Sequence, residues 1–152
     1  MLHLSFREFL LDQEKRGISV FWVDERKTNN VLANRCLELL SGRLQENICS
    51  LESPGTLRTE ISTQTIEKCL PADVRYACRH WVQHWELSGE YVCDEDAVHT
   101  FLKKHFLHWL EALSLVGKLS DSIAQINTLR SLVDVSYLAL IPQLSTYVYL
   151  TE

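Results

Sequence analysis

Two histidine pairs carry the spacing best suited to chemistry. His80 and His84 stand four apart, and His105 and His108 three apart, so on a helix the rings of each pair share a face. Zinc takes three or four such ligands at about 2 Å. The His80–His84 spacing lacks the glutamate of H-E-x-x-H, because Trp81 and Val82 occupy the intervening positions, and the chain contains no Cys-x-x-Cys. Histidines beside Trp81, Trp85 and Trp109 fit packing better, with one ring edge wet and one nitrogen hydrogen-bonded. No metal is expected.

Other chemistries fare worse. Cys78 with His80 or His84 could form a nucleophile–base pair, yet no oxyanion-hole motif and no orienting acid accompany it. Cys78 also falls on one apolar face with Val74 and Val82, where a thiol behaves as a small hydrophobe. Asp94, Glu95 and Asp96 precede a helical pattern and read as capping and dipole complement rather than an acid/base pair. A phosphate-binding loop needs G-x-x-x-x-G-K-[ST]. At Gly117-Lys118, Ala112 replaces the first glycine and Leu119 the hydroxyl residue. No catalytic residue and no cofactor are expected.

Composition bounds the remaining classes. The 152 residues are 46% hydrophobic and 23% charged, which suits one globular core, so residues 1–152 are expected to form a single domain. A formal charge of −5 with scattered Lys and Arg argues against nucleic acid, whose binding draws on clustered cations. Cys36, Cys49, Cys69, Cys78 and Cys93 are odd in number, without short paired spacing or a preceding signal peptide. Reduced thiols and a cytoplasmic location are the expectation. No run approaches the roughly 20 apolar residues that span a bilayer. The nearest, Val135 to Leu150, is interrupted by Pro142, Gln143, Ser145 and Thr146, and its tyrosines also permit a strand.

The elements that must position these residues are helices almost throughout. Leu2, Phe6, Phe9 and Leu10 recur at helical spacing, with Arg7 and Glu8 on the polar side. Gln13 to Ser19 reads as a loop before Val20-Phe21-Trp22. Asp24 caps a long helix with Val31, Leu32, Cys36, Leu39 and Leu40 on one face, which Gly42 ends or kinks. Leu44 to Leu51 could form a short helix, Glu52 to Thr56 a turn, and Thr59 to Lys68 a loop with one helical turn. Pro71 opens a helix whose Val74, Ala77, Cys78, Trp81, Val82 and Trp85 form an apolar face that stops near Ser88-Gly89. Asp94 or Asp96 caps the next helix, carrying Val98, Phe101, Leu102, His105 and Phe106, and Phe106 to Val116 is apolar enough for a central helix with Gly117 as its C-cap. Ser120 opens the last, with Ile123, Ile126, Leu129, Leu132 and Val133. The expected fold is all-α, an irregular antiparallel helical bundle or a short superhelical stack of helix pairs, with no clear sequence period.

Several blocks resemble a known family. Leu2-His3-Leu4-Ser5-Phe6-Arg7-Glu8-Phe9-Leu10 resembles the LH-x-SF-x-EFL signature closing the winged-helix part of NACHT-type signalling NTPases, the NLR-like proteins of the STAND class. Phe21-Trp22-Val23-Asp24-Glu25, Arg35 to Leu40, Asn47-Ile48-Cys49, Pro54-Gly55, Cys69-Leu70-Pro71, Tyr76 to His84, His99 to Leu102 and Lys104 to Leu115 resemble fungal members in the same order. The resemblance covers about residues 1 to 133. It implies that residues 1–12 are a terminal winged-helix-like segment and 20–133 the helical region after the nucleotide-binding core. It leaves 134–152 as a divergent tail. It further implies that His3 is the histidine that reaches the phosphate of bound ADP, and that the core lies upstream of Met1.

The functional expectation is a non-enzymatic interaction or regulatory module of the fungal incompatibility or innate-immunity type. Its partner would be a protein, such as a larger NACHT-type chain, with no nucleic acid and no membrane span. Phe6, Phe9, Trp22 and Trp85 are the candidate partner-binding residues, from amphipathic position and aromatic area. The alternative is a small helical protein with an acquired ligand, metal or catalytic site.

Overall fold

The computed structural model describes residues 4–133 other than Gly17 and Pro54. His3 and the tail 134–152 lie outside the described residues. Six α-helices follow one another among the described residues: α1 Leu4–Leu11, α2 Glu25–Arg43, α3 Thr63–Cys69, α4 Ala72–Ser88, α5 Ala97–Leu115 and α6 Leu119–Leu132. The all-α expectation holds. An isolated parallel bridge between Val92 and Val133 is the extended pairing among these residues.

The helices start where a side chain can satisfy the first free backbone N–H groups. Asp24 accepts from the Lys27 N–H at 3.1 Å, Ser62 from Thr65 at 3.0 Å and Asp96 from His99 at 2.7 Å. Pro71 sits at the N-cap of α4, where its missing N–H costs no hydrogen bond. Two left-handed glycines end α4 and α5, Gly89 (φ 74°) and Gly117 (φ 71°), a conformation that a Cβ would strain.

Several local expectations are corrected. Helix α2 runs through Gly42 to Arg43 without stopping there. Residues 44–51 do not form a helix, since Asn47 (φ 51°) and Ser50 (φ 50°) adopt the left-handed region. The Glu111 carboxylate holds this stretch instead, accepting from the Asn47 and Ile48 N–H groups at 3.1 Å each. Thr63–Cys69 is a true helix rather than a loop with one turn, preceded by a 3-10 turn at Arg58–Glu60. The buried face of α2 is Asn29, Ala33, Cys36, Leu37 and Leu40, while Val31 and Leu32 are exposed. On α6, Ile126 and Leu129 are buried and Ile123 is exposed.

Helices α2 and α4 form the main packed pair. They run antiparallel, since the start of α2 (Asp24 to Asn30) and the end of α4 (Ser88, Gly89) line one cleft. Helix α5 closes the core from the other side through aromatic edges. The Trp81 ring meets Phe101 at 5.4 Å and 70°, and Trp109 at 5.4 Å and 65°. Edge-to-face geometry matches the ring quadrupoles. The Trp109 indole N–H donates to the Cys78 carbonyl at 2.9 Å, tying α5 to α4 inside the core. Truncating such an aromatic typically costs about 3–5 kcal/mol.

Candidate functional site

The histidine pairs are engaged within the protein. Asn29 spends its amide on the Glu25 carbonyl at 2.9 Å, so its Oδ1 must accept from His84 Nδ1–H at 2.8 Å. That assignment leaves the His84 Nε2 lone pair to accept from the Tyr76 hydroxyl at 2.8 Å. Burial, then the neighbouring His80, holds His84 below its ordinary pKa, which keeps this neutral tautomer. Both nitrogens are thereby used, and the chain Asn29–His84–Tyr76 links α2 to α4. His80 stacks obliquely on the Tyr76 ring with centroids 4.7 Å apart.

His105 and His108 meet through their Nδ1 atoms at 3.3 Å, a contact needing one N–H and one lone pair. His105 is buried and stacked on Phe101, and its Nε2 has no hydrogen-bond partner among the described residues. Burial foremost, then Lys104 and His108, lowers its pKa, while the Leu44 carbonyl acts in the opposite sense. No group of three or more His, Cys, Asp or Glu side chains is placed to hold a metal among the described residues.

Cys78 is wholly buried, and burial followed by the field of Cys36 pushes its thiol up to about 12. A thiol so enclosed is held in its protonated form and packs as a small hydrophobe. Asp96 is fully used as a cap: Oδ1 accepts from His99 and Oδ2 from the Cys93 N–H at 2.7 Å.

A cleft of about 810 Å³ lies where the N-terminal segment meets the start of α2 and the end of α4. Arg16, Arg26 and Lys27 line it together with Asp24, Glu25 and Glu90, so its charges oppose one another. Arg26 places its guanidinium over Gly89, 3.5 Å from where a Cβ would stand, beside the carbonyl end of α4. Arg16 lies over the half-buried Trp22 ring at 5.5 Å.

Beside the cleft the N-terminal segment exposes apolar surface. Phe6 and Phe9 of α1 are 46% and 41% exposed, with the Lys15 ammonium 3.9 Å over the Phe9 ring. Ile18, Val20 and Phe21 project still further, Val20 at 92%. These three were not among the candidates, although an apolar run without helical register between loop residues is the signal that marks them. Trp85, proposed as a partner-binding residue, is only 6% exposed and belongs to the core cluster. Its place on the inner face of α4 with Trp81 and Val82 is the reason. Of the candidate set, Phe6, Phe9 and Trp22 thus gather in the N-terminal segment, Trp85 does not, and His3 lies outside the described residues.

The described residues thus form a helical fold whose N-terminal segment is among its exposed apolar surfaces. No protein-family model matches the chain, and no solved structure matches it. It is similar to a segment of the vegetative incompatibility protein HET-E-1 of Podospora anserina, at 30% identity over 149 aligned residues. That alignment takes in 86% of this chain and 11% of the relative, so the chain spans a small part of the relative's length. No helix among the described residues is long and apolar enough to cross a membrane.

Proposed function

We propose that this chain is a non-enzymatic helical interaction and regulatory module of the fungal NACHT, incompatibility or innate-immunity type. It works in the cytoplasm by docking to a larger NACHT-type protein and biasing that protein between closed and open states. The observation that carries the reading is the similarity to a vegetative incompatibility protein along 86% of the chain. The exposed Phe6, Phe9, Ile18, Val20 and Phe21 supply a surface of the right chemistry for a protein partner.

The test titrates the purified chain into a recombinant NACHT-type NTPase that carries its own nucleotide-binding core. Complex formation is read by calorimetry, and the NTPase rate by phosphate release. Binding that shifts the hydrolysis rate, and that is lost in the Phe6→Ser/Phe9→Ser variant, is the expected result. Failure to bind, with a melting midpoint of the chain raised by ADP–Mg, ATP–Mg or zinc, would replace this reading with a small helical protein holding a site of its own.

A further inference from the structure

The connection from α1 to α2 is a surface loop closed at its base, where the Val23 N–H donates to the Leu10 carbonyl at 2.8 Å. Within it the Lys15 carbonyl accepts from the Ile18 and Ser19 N–H groups, both at 3.0 Å, and the Ser19 carbonyl from the Trp22 N–H at 3.2 Å. Ile18, Val20 and Phe21 project from these turns into solvent. Ser19 stands between them, half-buried, and its Oγ accepts from the Phe21 N–H at 3.2 Å. That bond occupies one lone pair and leaves the hydroxyl proton and the other lone pair open to chemistry.

The residues around this hydroxyl form a pattern found nowhere else in the chain. Among all its serines and threonines, Ser19 alone has a Lys or Arg three positions before it, and no carboxylate residue lies between Lys15 and Val23. Lys15 is drawn to Asp12 at 3.2 Å, but the basic residue in question, Arg16, is exposed and reaches over the Trp22 ring. Val20, directly after the hydroxyl, is the most exposed of the large apolar side chains among the described residues. A guanidinium is matched by carboxylates in a fixed fork geometry, and an exposed apolar side chain by an apolar pocket.

We infer that Ser19 is a phosphorylation site for a serine/threonine kinase of the basophilic class, one whose cleft offers carboxylates to Arg16 and an apolar pocket to Val20. The Ser19 Oγ attacks the γ-phosphorus of magnesium-bound ATP. The new O–P bond forms as the bond from that phosphorus to the bridging oxygen breaks, ADP leaves, and the serine proton passes to the kinase's carboxylate base. Extending the segment into such a cleft opens the turn bonds at Ser19 while the base at Leu10 and Val23 stays closed. Those turns lie in an exposed loop, where local opening costs least.

The phosphate brings about −1.5 to −2 charges at neutral pH. Set between Ile18 and Val20, it turns an apolar projection into a strongly hydrated one. Resting on the docking reading above, the modified chain should bind a NACHT-type NTPase at least about tenfold more weakly than the unmodified one.

The experiment incubates the full folded chain with magnesium and ATP and, in parallel, the catalytic subunit of cyclic-AMP-dependent protein kinase or activated calcium/calmodulin-dependent protein kinase. Phosphate is mapped by tandem mass spectrometry, and a synthetic peptide of residues 12–24 is run beside the chain. Expected is phosphate on Ser19 of the folded chain with at least one of the two kinases, and none at that position in Ser19→Ala. Arg16→Ala should lower kcat/KM at least about tenfold while its melting midpoint stays within about 3 °C of the unmutated chain's. No phosphate on Ser19 with either kinase would overturn the assignment. Phosphate on the peptide alone would do so too, since the fold then withholds the hydroxyl, as would undiminished phosphorylation of Arg16→Ala. An unmodified chain that fails to bind the NTPase refutes the docking reading, and Ser19 is still decided by its phosphopeptide.

Discussion

Trp81 and Trp109 offer a comparison in which packing cancels and one hydrogen bond remains. Both are wholly buried and they touch each other edge to face, so replacing either by Phe removes the same atoms from the same cluster. Each substitution should therefore lose a similar amount of contact and leave a similar void, about 1–3 kcal/mol. The indoles differ in what their N–H groups do. That of Trp109 donates to the Cys78 carbonyl, while that of Trp81 is buried without a partner among the described residues. Trp109→Phe forfeits a bond worth about 1 kcal/mol net, whereas Trp81→Phe removes an unmet donor that costs about 1–3 kcal/mol to bury. Trp109→Phe should consequently be the less stable variant by at least about 2 kcal/mol. For a domain of this size that difference separates the melting midpoints by roughly 4–8 °C. Urea unfolding followed by circular dichroism checks it, with equal slopes showing that both variants unfold from the same compact state. Equal midpoints, or a lower one for Trp81→Phe, would refute the reasoning from the indole partners.

Three further outcomes follow from the same geometry. Replacing Phe6 and Phe9 together by Ser should move the melting midpoint by less than about 3 °C, because both rings are already nearly half exposed, while partner binding weakens at least tenfold; a collapse of stability in the melt would instead place them in the core. Asp96→Ala removes acceptors for both the His99 and Cys93 N–H groups and should destabilise the chain by about 1–2 kcal/mol, read from the shift in urea midpoint. Stability should also fall on mild acidification. His84 and His105 titrate below their ordinary 6.5 in the folded chain, mainly through burial, so as pH drops past 6.5 the unfolded chain binds protons that the folded chain refuses. Midpoints flat from pH 8 to 7 and declining below about 6.5 are expected, with a shallower decline in His84→Gln; a rise would contradict the buried neutral state.

Which local features were legible follows from their range. Asp24, Asp96, Gly89 and Gly117 act on backbone groups within a few residues, so helix limits could be read from composition alone. The strongly apolar face of α4 likewise announced itself, since Val74, Ala77, Cys78, Trp81 and Val82 have no polar competitor at those positions. Helix α2 shows where that reasoning ends. Its apolar residues are spread around the axis, and its buried face is chosen by α4, which takes in Asn29 because His84 can bond it and leaves Val31 and Leu32 outside. Trp85 turns inward for the same reason, since aromatic area alone does not say which way a ring faces.

By itself, then, the sequence determined the helical character of the described residues and their principal caps, because propensity and capping are short-range properties. The tertiary structure alone decided that Tyr76, His84 and Asn29 join in one hydrogen-bonded chain and that Glu111 grips the Asn47–Ile48 backbone. It alone also left Ile18, Val20 and Phe21 in solvent. The bonds from Asn29 to His84 and from Glu111 to Asn47 join residues 55 and 64 positions apart, and the exposure depends on what fails to cover a side chain, so only the packed arrangement of the helices determines either.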